Sequence, residues 1–172
     1  LTSDDTKINN VTIKRHNGKY YAVFNVKTSI MMFDKTFESV GVDLGLRTLA
    51  TLSNELEKAN IDVTYEDEMI HKYQRKLARK KPGSKRYKNT LQTYWKWVDK
   101  KTNKIKHAQH QISHNLAKYY DIICMENLDV KGMFENKNIS SILQSTGLTS
   151  LVEKIKYKCE WHDKEFIQIS RW

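Results

Sequence analysis

Apolar and polar residues alternate in several short segments of this chain, which is the pattern of half-buried β-strands. Asn17-Gly18 separates the first two of these segments, and this pair favours a tight hairpin turn. Leu46-Arg47 closes a second predicted hairpin. The predicted strands, in chain order, are Val11–Arg15, Tyr20–Val26, residues 40–45, residues 48–52, residues 61–65, residues 119–126 and Phe166–Ile169.

Helical periodicity dominates the middle of the chain and returns near its end. The predicted helices cover residues 68–81, a stretch from about Ser84 past Trp97, residues 105–116 and residues 148–159. Lys81-Pro82-Gly83-Ser84 ends the first helix, and the pattern leaves open a break near Asp99–Asn103. Ser150 and Glu153 have the spacing of a capping box for the last helix.

The order of these elements predicts an α/β domain. Three antiparallel strands are followed by helices, a buried strand, a helix and a final strand, which matches the ribonuclease H-like arrangement of a mixed sheet with flanking helices. At 172 residues the chain fits one domain with a fragment of another. The longest apolar stretch falls short of the roughly 20 residues that span a bilayer, so we expect no membrane association.

Two carboxylates stand in apolar strands of the predicted sheet. Asp43 interrupts the apolar run Val40–Leu52, and Glu126 ends the apolar run that begins at Tyr119. A buried carboxylate without a partner is costly, and open sheets place their sites at the carboxyl ends of strands. The pattern therefore favours a Mg²⁺ site for phosphoryl transfer, while an Asp43 that only caps a turn stays open as the alternative.

Charge is distributed unevenly around a formal net charge of +10. Residues 71–118 contain fifteen Lys or Arg residues and one acid, Asp99, whereas the remainder has fifteen basic and nineteen acidic residues. Aromatic residues interleave with this basic segment, which favours nucleic acid over a membrane surface, and a merely solvated helical face is the alternative. The candidate contacts are Arg75, Lys76, Arg79, Lys80, Lys81, Lys85, Arg86, Lys88, Trp95, Lys96 and Lys104.

Cysteine and histidine residues add two smaller predictions. Cys124 and Cys159 lie in apolar patterns and predict reduced core thiols, which is consistent with a cytoplasmic protein. His107, His110 and His114 have a spacing that could mimic a metal site. They lie opposite the apolar stripe Ile105–Leu116, so solvated or phosphate-contacting histidines are the better interpretation.

Several segments together resemble the TnpB/OrfB family of insertion-sequence proteins, which are related to type V CRISPR effectors. Gly41-Val42-Asp43-Leu44-Gly45-Leu46 is similar to that family's first RuvC motif, and Ile122–Met133 is similar to its second. Lys80–Tyr87 resembles the basic segment between them, and Lys156–Trp161 the helix before the last motifs. Ile13–Val26 resembles the end of the family's β-rich wedge domain.

The resemblance implies an RNA-guided DNA endonuclease that works with DNA and a guide RNA in the nucleoid of a bacterium or archaeon. Asp43 would bridge two Mg²⁺ or Mn²⁺ ions and Glu126 would bind one of them. The family's third catalytic acid and structural zinc ribbon are expected beyond Trp172, so we expect this chain alone to be inactive or very weak. The implied domains are residues 1–36, the end of the wedge domain, and 37–172, a RuvC-like nuclease domain.

Departures from the family pattern keep a second function open. The family usually carries Arg, Asp and Lys where Gln109, Gln111 and Asn115 stand here. Asp129 could substitute as a ligand, although capping a turn suits it better. A nucleic-acid-binding remnant or repressor without cleavage is therefore the alternative to an endonuclease. The oligomeric state, the guide RNA and the target-flanking motif do not follow from the sequence.

Overall fold

The computed structural model describes residues 6–45, 48–127 and 147–170. The strands are β1 (Lys7–His16), β2 (Lys19–Lys27), β3 (Ser39–Asp43), β4 (Thr48–Leu52), β5 (Glu57–Ala59), β6 (Ile122–Glu126) and β7 (Glu165–Ile169). The helices are α1 (Thr64–Ala78), α2 (Lys85–Tyr119) and α3 (Leu148–Trp161). Within the described ranges, no helix has the length and apolarity needed to cross a membrane.

These residues form two compact units. The first contains Leu1–Ile30 and Val63–Asn103, and the second contains Met31–Asp62 and Lys104–Trp172. Helix α2 contributes residues to both units. The sequence predicts a domain boundary between residues 36 and 37, where the wedge domain would end and the RuvC-like domain would begin. That boundary stays a prediction.

A two-stranded antiparallel hairpin opens the first unit, as the sequence predicts. β1 and β2 pair from Lys7 opposite Lys27 to His16 opposite Lys19. Asn17 and Gly18 have φ values of 49° and 78°, the left-handed conformations that a two-residue hairpin turn requires. At the turn, His16 Nε2 lies 2.8 Å from a carboxylate oxygen of Asp99, and Asn17 donates to the other oxygen.

Helix α1 and the first part of α2 complete this unit. The structure corrects one predicted helix limit, because α1 begins at Thr64 rather than residue 68. It also decides the break that the pattern left open, because α2 continues through residues 99–103. No Gly or Pro interrupts that stretch, so nothing in its backbone opposes a helix. Ser84 caps α2, because its hydroxyl accepts the Tyr87 N–H at 3.1 Å.

The second unit contains a five-stranded mixed sheet in the order β5-β4-β3-β6-β7. β3, β6 and β7 are parallel, whereas β4 runs antiparallel to both β3 and β5. The predicted second hairpin, β3 and β4, and the final strand, β7, are therefore confirmed. The closing residues Leu46-Arg47 lie outside the described residues.

The third strand lies earlier in the chain than predicted. Alternation places it at residues 61–65, but β5 covers Glu57–Ala59 and Thr64 already belongs to α1. A tight turn causes this shift: Leu52 N–H donates to the Leu56 carbonyl at 2.9 Å, so the chain reverses directly after β4. Ile61, which the prediction placed in the strand, packs against the core instead.

Helices α2 and α3 supply core side chains that cluster with those of the sheet. Leu116 of α2 and Leu151 and Ile155 of α3 are buried with apolar residues of β3, β4 and β6. The buried side of α2 also includes Gln109 and Ser113, 1% and 0% exposed, whereas the predicted stripe counted only apolar residues.

The predicted capping box of the last helix is wrong. α3 begins at Leu148, with Gly147 at its N-cap in a left-handed conformation and no side-chain cap. Ser150 instead accepts a hydrogen bond from the buried Lys154 ammonium at 2.5 Å. Because the helix begins two residues before Ser150, this side chain lies inside its first turn and not at the N-cap.

Asp121 fixes the segment that leads into β3. Its Oδ2 accepts the Thr36 N–H at 2.9 Å and the Phe37 N–H at 2.6 Å, while Oδ1 pairs with the buried Lys164 ammonium. Lys164 also donates to the Asp34 carbonyl at 2.8 Å. These bonds tie the start of β3 to the starts of β6 and β7.

Candidate active site

Two carboxylates lie at the ends of adjacent parallel strands. β3 and β6 pair in parallel up to Val42 opposite Met125, and each strand then ends in an acid, Asp43 and Glu126. Neighbouring strands are about 4.8 Å apart, so the two backbones hold these acids side by side. The structure thus brings together the two acids that the sequence placed on two buried strands. It also ends β3 at Asp43, whereas the predicted strand continues to residue 45.

Strand alternation directs both acids away from the core. Val42 and Met125, one position earlier, are 4% and 1% exposed and pack in the core beneath the helices. Because successive side chains point to opposite faces, Asp43 and Glu126 share the other face of the sheet. Asp43 is exposed and Glu126 is half-buried, so both carboxylates can be reached from solvent.

A cleft of about 540 Å³ surrounds the two acids. Thr51 and Ser53 line it from β4 and the following turn, and Ser170 lines it beyond the end of β7. Ser53 is pinned by two bonds to Gly41, accepting the Gly41 N–H at 3.0 Å and donating its own N–H to the Gly41 carbonyl at 2.9 Å. Neither Thr51 nor Ser53 was among the candidate residues from the sequence, although their register opposite Asp43 and Gly41 follows from the predicted hairpin.

Cys124 belongs to this cleft, contrary to the expectation of a core thiol. It stands opposite Gly41 in the ladder and two positions before Glu126, so it shares their face and is half-buried. Cys159 is the core thiol that the sequence predicts: it is 1% exposed, and burial raises its pKa to about 11. Both cysteines are free.

The donor set of the cleft fits a divalent metal of the Mg²⁺ type. Mg²⁺ is held by one or two carboxylates together with waters and substrate phosphates, and Asp43 and Glu126 supply those carboxylates in an open cleft. Among the described residues, no group of three His, Cys, Asp or Glu side chains could hold a metal ion. Asp129, the possible extra ligand, lies outside the described residues. The metal-binding roles of Asp43 and Glu126 therefore stay predictions.

The basic residues predicted to contact nucleic acid lie mainly in the first unit. Lys104 belongs to the second, and the remaining ten candidates fall between Arg75 and Lys96. Most are exposed, including Trp95 at 41%. Lys80 is half-buried and donates to the Thr90 hydroxyl at 2.6 Å, which fastens the turn between α1 and α2. Their contact with nucleic acid stays a prediction.

Sequence comparison assigns the family. Residues 33–137, which include both carboxylates of the cleft, match the sequence model of OrfB_IS605, described as "Probable transposase". That match covers more than half of the chain. The chain belongs to the OrfB_IS605 family.

Curated relatives of this OrfB_IS605 chain have names that specify an activity. It is 26% identical over 164 residues to a Streptomyces pristinaespiralis protein named "Putative RNA-guided DNA endonuclease", a match that covers 94% of the chain and 41% of that protein. Two Mycobacterium tuberculosis proteins with the same description are 26% identical over 148 residues, covering 77% of the chain and 32% of each protein. The chain thus spans well under half of these relatives.

A solved structure resembles this OrfB_IS605 chain in fold. It is the cryo-EM structure of a Cas12f1–sgRNA–target DNA complex, with a TM-score of 0.51 and 16% sequence identity. The likeness covers 93% of the chain and 41% of that protein. Together with the strand order β5-β4-β3-β6-β7, it shows that the mixed α/β fold is RuvC-like.

Proposed function

We propose that this chain forms part of the nuclease centre of an RNA-guided DNA endonuclease encoded by an insertion sequence. The observation that carries the proposal is the placement of Asp43 and Glu126 at the carboxyl ends of adjacent parallel strands, in one solvent-accessible cleft. The names of the curated relatives support the same activity. Guide RNA and target DNA are the corresponding partners.

In this proposal Asp43 and Glu126 would hold Mg²⁺ or Mn²⁺ beside the scissile phosphodiester. When bound, two such ions would activate a water and stabilise the leaving oxygen. The chain itself holds the two carboxylates at a fixed separation, because the paired strands β3 and β6 fix the backbone positions of both acids. Ser53 and Gly41 hold the neighbouring wall of the cleft in place.

On this proposal a third carboxylate completes the centre from a part of the whole protein outside this chain. Two carboxylates leave much of the charge of two divalent ions uncompensated and supply few of their ligands. We therefore infer that the 172-residue chain alone cleaves DNA weakly or not at all. A structural zinc site belongs, on the same proposal, to a part of the whole protein outside this chain.

The basic segment of the first unit supplies the affinity for nucleic acid. Its exposed lysines and arginines suit backbone phosphates, and exposed aromatic rings such as Trp95 suit stacking on bases. In an RNA-guided enzyme, base pairing with the guide carries sequence recognition, so a protein surface rich in backbone contacts is sufficient.

Mn²⁺ binding, followed by electron paramagnetic resonance, tests the site without requiring cleavage. We expect the chain to bind Mn²⁺, and we expect Asp43→Asn and Glu126→Gln each to weaken binding at least tenfold. Asp163→Asn and Glu160→Gln are matched controls, because both residues are exposed and lie outside the cleft. Equal affinities for the site variants and their controls would contradict the metal-binding role of the two acids.

A plasmid-nicking assay on the same chain tests the expected inactivity. We expect no strong cutting in Mg²⁺ or Mn²⁺. Robust Mg²⁺-dependent cutting that Asp43→Ala abolishes would show that no further carboxylate is needed. A chain that binds DNA tightly but shows no Mn²⁺ site would instead favour the alternative function, a nucleic-acid-binding protein without cleavage.

A further inference from the structure

Gly41 occupies the middle of the central strand of the sheet, on the face that carries the two acids. It lies two positions before Asp43 on β3 and stands opposite Cys124 of β6. Strand β3 is the third of five, with β4 on one side and β6 on the other. Glycine weakens a strand at such a position, because it brings no side chain to pack and loses more backbone freedom on folding than any other residue.

Nothing in the described part of the chain requires a glycine at position 41. Its φ lies outside the left-handed region, and the pairing of β3 with β4 and β6 has no bulge. Among the described residues, a Cβ at Gly41 would touch only Ser53, at 3.5 Å from its Cβ and 3.7 Å from its Oγ, which are ordinary van der Waals distances. The other described glycines do have such a reason: three have positive φ, and a Cβ at Gly45 would lie 2.7 Å from the Thr48 carbonyl oxygen.

The missing side chain leaves open the floor of the cleft beside the two acids. Gly41 and Cys124 both line the cleft, and they precede Asp43 and Glu126 by two residues, or about 6.6 Å along the strands. A methyl group on Gly41 would enter this space, because the face that it would project from is the face of the cleft. A glycine inside a strand that shows neither a bulge nor a bend marks a position where a ligand or another backbone approaches closely.

The floor at Gly41 presents apolar surface to a ligand. Both polar groups of the Gly41 backbone are already bonded to Ser53, the N–H at 3.0 Å and the carbonyl at 2.9 Å. A hydrated Mg²⁺ needs oxygen ligands or hydrogen-bond partners for its waters, and a glycine Cα offers neither. The face of a nucleotide sugar consists largely of carbon and hydrogen, so it gains from close van der Waals contact with such a surface.

We propose that the sugar of the nucleotide next to the scissile phosphate lies against Gly41, and that the absence of a side chain there lets the substrate strand reach the acids. The inference rests on the proposed function, which supplies the nucleic-acid substrate. Gly41 is then a specificity-determining residue, since it sets how closely a strand approaches the floor of the cleft. A side chain at this position would lift the strand away from Asp43 and Glu126. Metal binding by the acids needs no such clearance, so the two properties are separable.

Two binding measurements on the whole chain test the proposal without requiring cleavage. Electron paramagnetic resonance gives the affinity for Mn²⁺, and phosphorus NMR relaxation, which Mn²⁺ in the cleft enhances, gives the affinity for dithymidine monophosphate. The variants Gly41→Ala and Gly41→Val place side chains of increasing size on the floor. Ser39→Thr is the matched control, because it also adds one methyl group to this face of β3, at an exposed position outside the lining of the cleft.

We expect Gly41→Ala to weaken dinucleotide binding at least about fivefold and Gly41→Val to weaken it further, because each added group occupies the place of the sugar. Ser39→Thr should stay within about twofold of the unmodified chain. All of these proteins should bind Mn²⁺ with the same affinity within about twofold. The Tm of Gly41→Ala should be unchanged or up to about 2–4 °C higher, since alanine loses less backbone freedom on folding than glycine.

Equal dinucleotide affinities for the unmodified chain and Gly41→Ala would overturn the proposal, because the strand would then not touch the floor at this position. A Tm of Gly41→Ala below that of Ser39→Thr would overturn it as well, since the fold itself would then need the glycine. A loss of Mn²⁺ affinity in Gly41→Ala would instead make Gly41 part of the metal site. A chain that binds Mn²⁺ but no dinucleotide contradicts this inference alone, whereas a chain that binds no Mn²⁺ contradicts the proposed function and this inference with it.

Discussion

Gln109 provides a sharp test of how α2 and α3 are held together in the second unit. Its side chain is buried between the helices, where the amide Nε2 donates to the Gly147 carbonyl at 3.0 Å. Its Oε1 accepts a hydrogen bond from the Lys154 ammonium at 3.1 Å. The perturbation is Gln109→Leu, which preserves size and helix propensity but removes both polar partners.

The expected cost follows from the two lost bonds. The bond to a charged ammonium contributes about 1.5–3 kcal/mol and the neutral bond to the Gly147 carbonyl about 0.5–1.5 kcal/mol. That carbonyl keeps a donor in the variant, because it also accepts the Leu151 N–H at 3.1 Å. The Lys154 ammonium keeps Ser150 Oγ at 2.5 Å and the Ser150 carbonyl at 3.3 Å, and the new apolar side chain offsets part of the loss. We therefore expect a net loss of about 2 kcal/mol, equivalent to about 4–8 °C in Tm for a chain of this length.

Urea unfolding followed by circular dichroism measures this loss, with an unchanged m value as the sign of unaltered native and denatured states. Gln111→Leu is the matched control, since Gln111 is the same residue type on the same helix but is exposed; it should cost less than about 0.5 kcal/mol. Gln109→Glu should fall between the two, because a carboxylate restores the acceptor for Lys154 but presents oxygen to the Gly147 carbonyl. Equal unfolding free energies for Gln109→Leu and Gln111→Leu would refute the reasoning.

Three further predictions use the same unit. Gly147→Ala should destabilise by about 1–2 kcal/mol or more in urea unfolding, because φ is +61° and its Cβ would lie 2.9 Å from Gln109 Nε2. Iodoacetamide at pH 8 should alkylate Cys124 before Cys159, since burial raises the Cys159 pKa to about 11; mass spectrometry identifies the site. The hydrogen bond from Lys164 lowers the pKa of Asp121. The ionised Asp121 should therefore stabilise the fold fully above the ordinary pKa of 3.8, and this stabilisation should disappear as the pH falls through the lower pKa of the folded state. In Asp121→Asn the free energy of unfolding should change less over the same pH range.

The sequence predicted the sheet well because its strands have two clear local signals. β3 and β6 are short apolar runs that end in acids, and β1 and β2 flank an Asn-Gly turn. Such signals depend only on neighbours in the chain. The placement of Asp43 beside Glu126 followed from the rule that parallel strands present their carboxyl ends at one edge.

The errors arose where turns, strand register and side-chain contacts, rather than hydrophobic alternation, decide the structure. β5 is only three residues long, and its position depends on the turn at residues 53–56, so alternation over residues 61–65 was misleading. Cys124 stands in an apolar run, but its register opposite Gly41 places it in the cleft. The basic candidates show that sequence alone does not tell which lysines are available to nucleic acid. Lys80 resembles its basic neighbours in sequence, yet it is half-buried and its ammonium donates to the Thr90 hydroxyl.

The buried polar contacts between α2 and α3 explain why the helix faces were the hardest part to predict. Hydrophobic periodicity assigns Gln109, Ser113 and Lys154 to solvent, yet all three are buried because they satisfy one another or nearby backbone carbonyls. These helices cover the face of the sheet opposite the two acids, so their packing fixes β3 and β6 beneath the cleft. A variant that loosens this packing should disturb the acids without touching them. The Gln109→Leu protein should accordingly bind Mn²⁺ more weakly than Gln111→Leu under conditions where both are folded, and equal affinities would show that the sheet holds its acids without help from the helices.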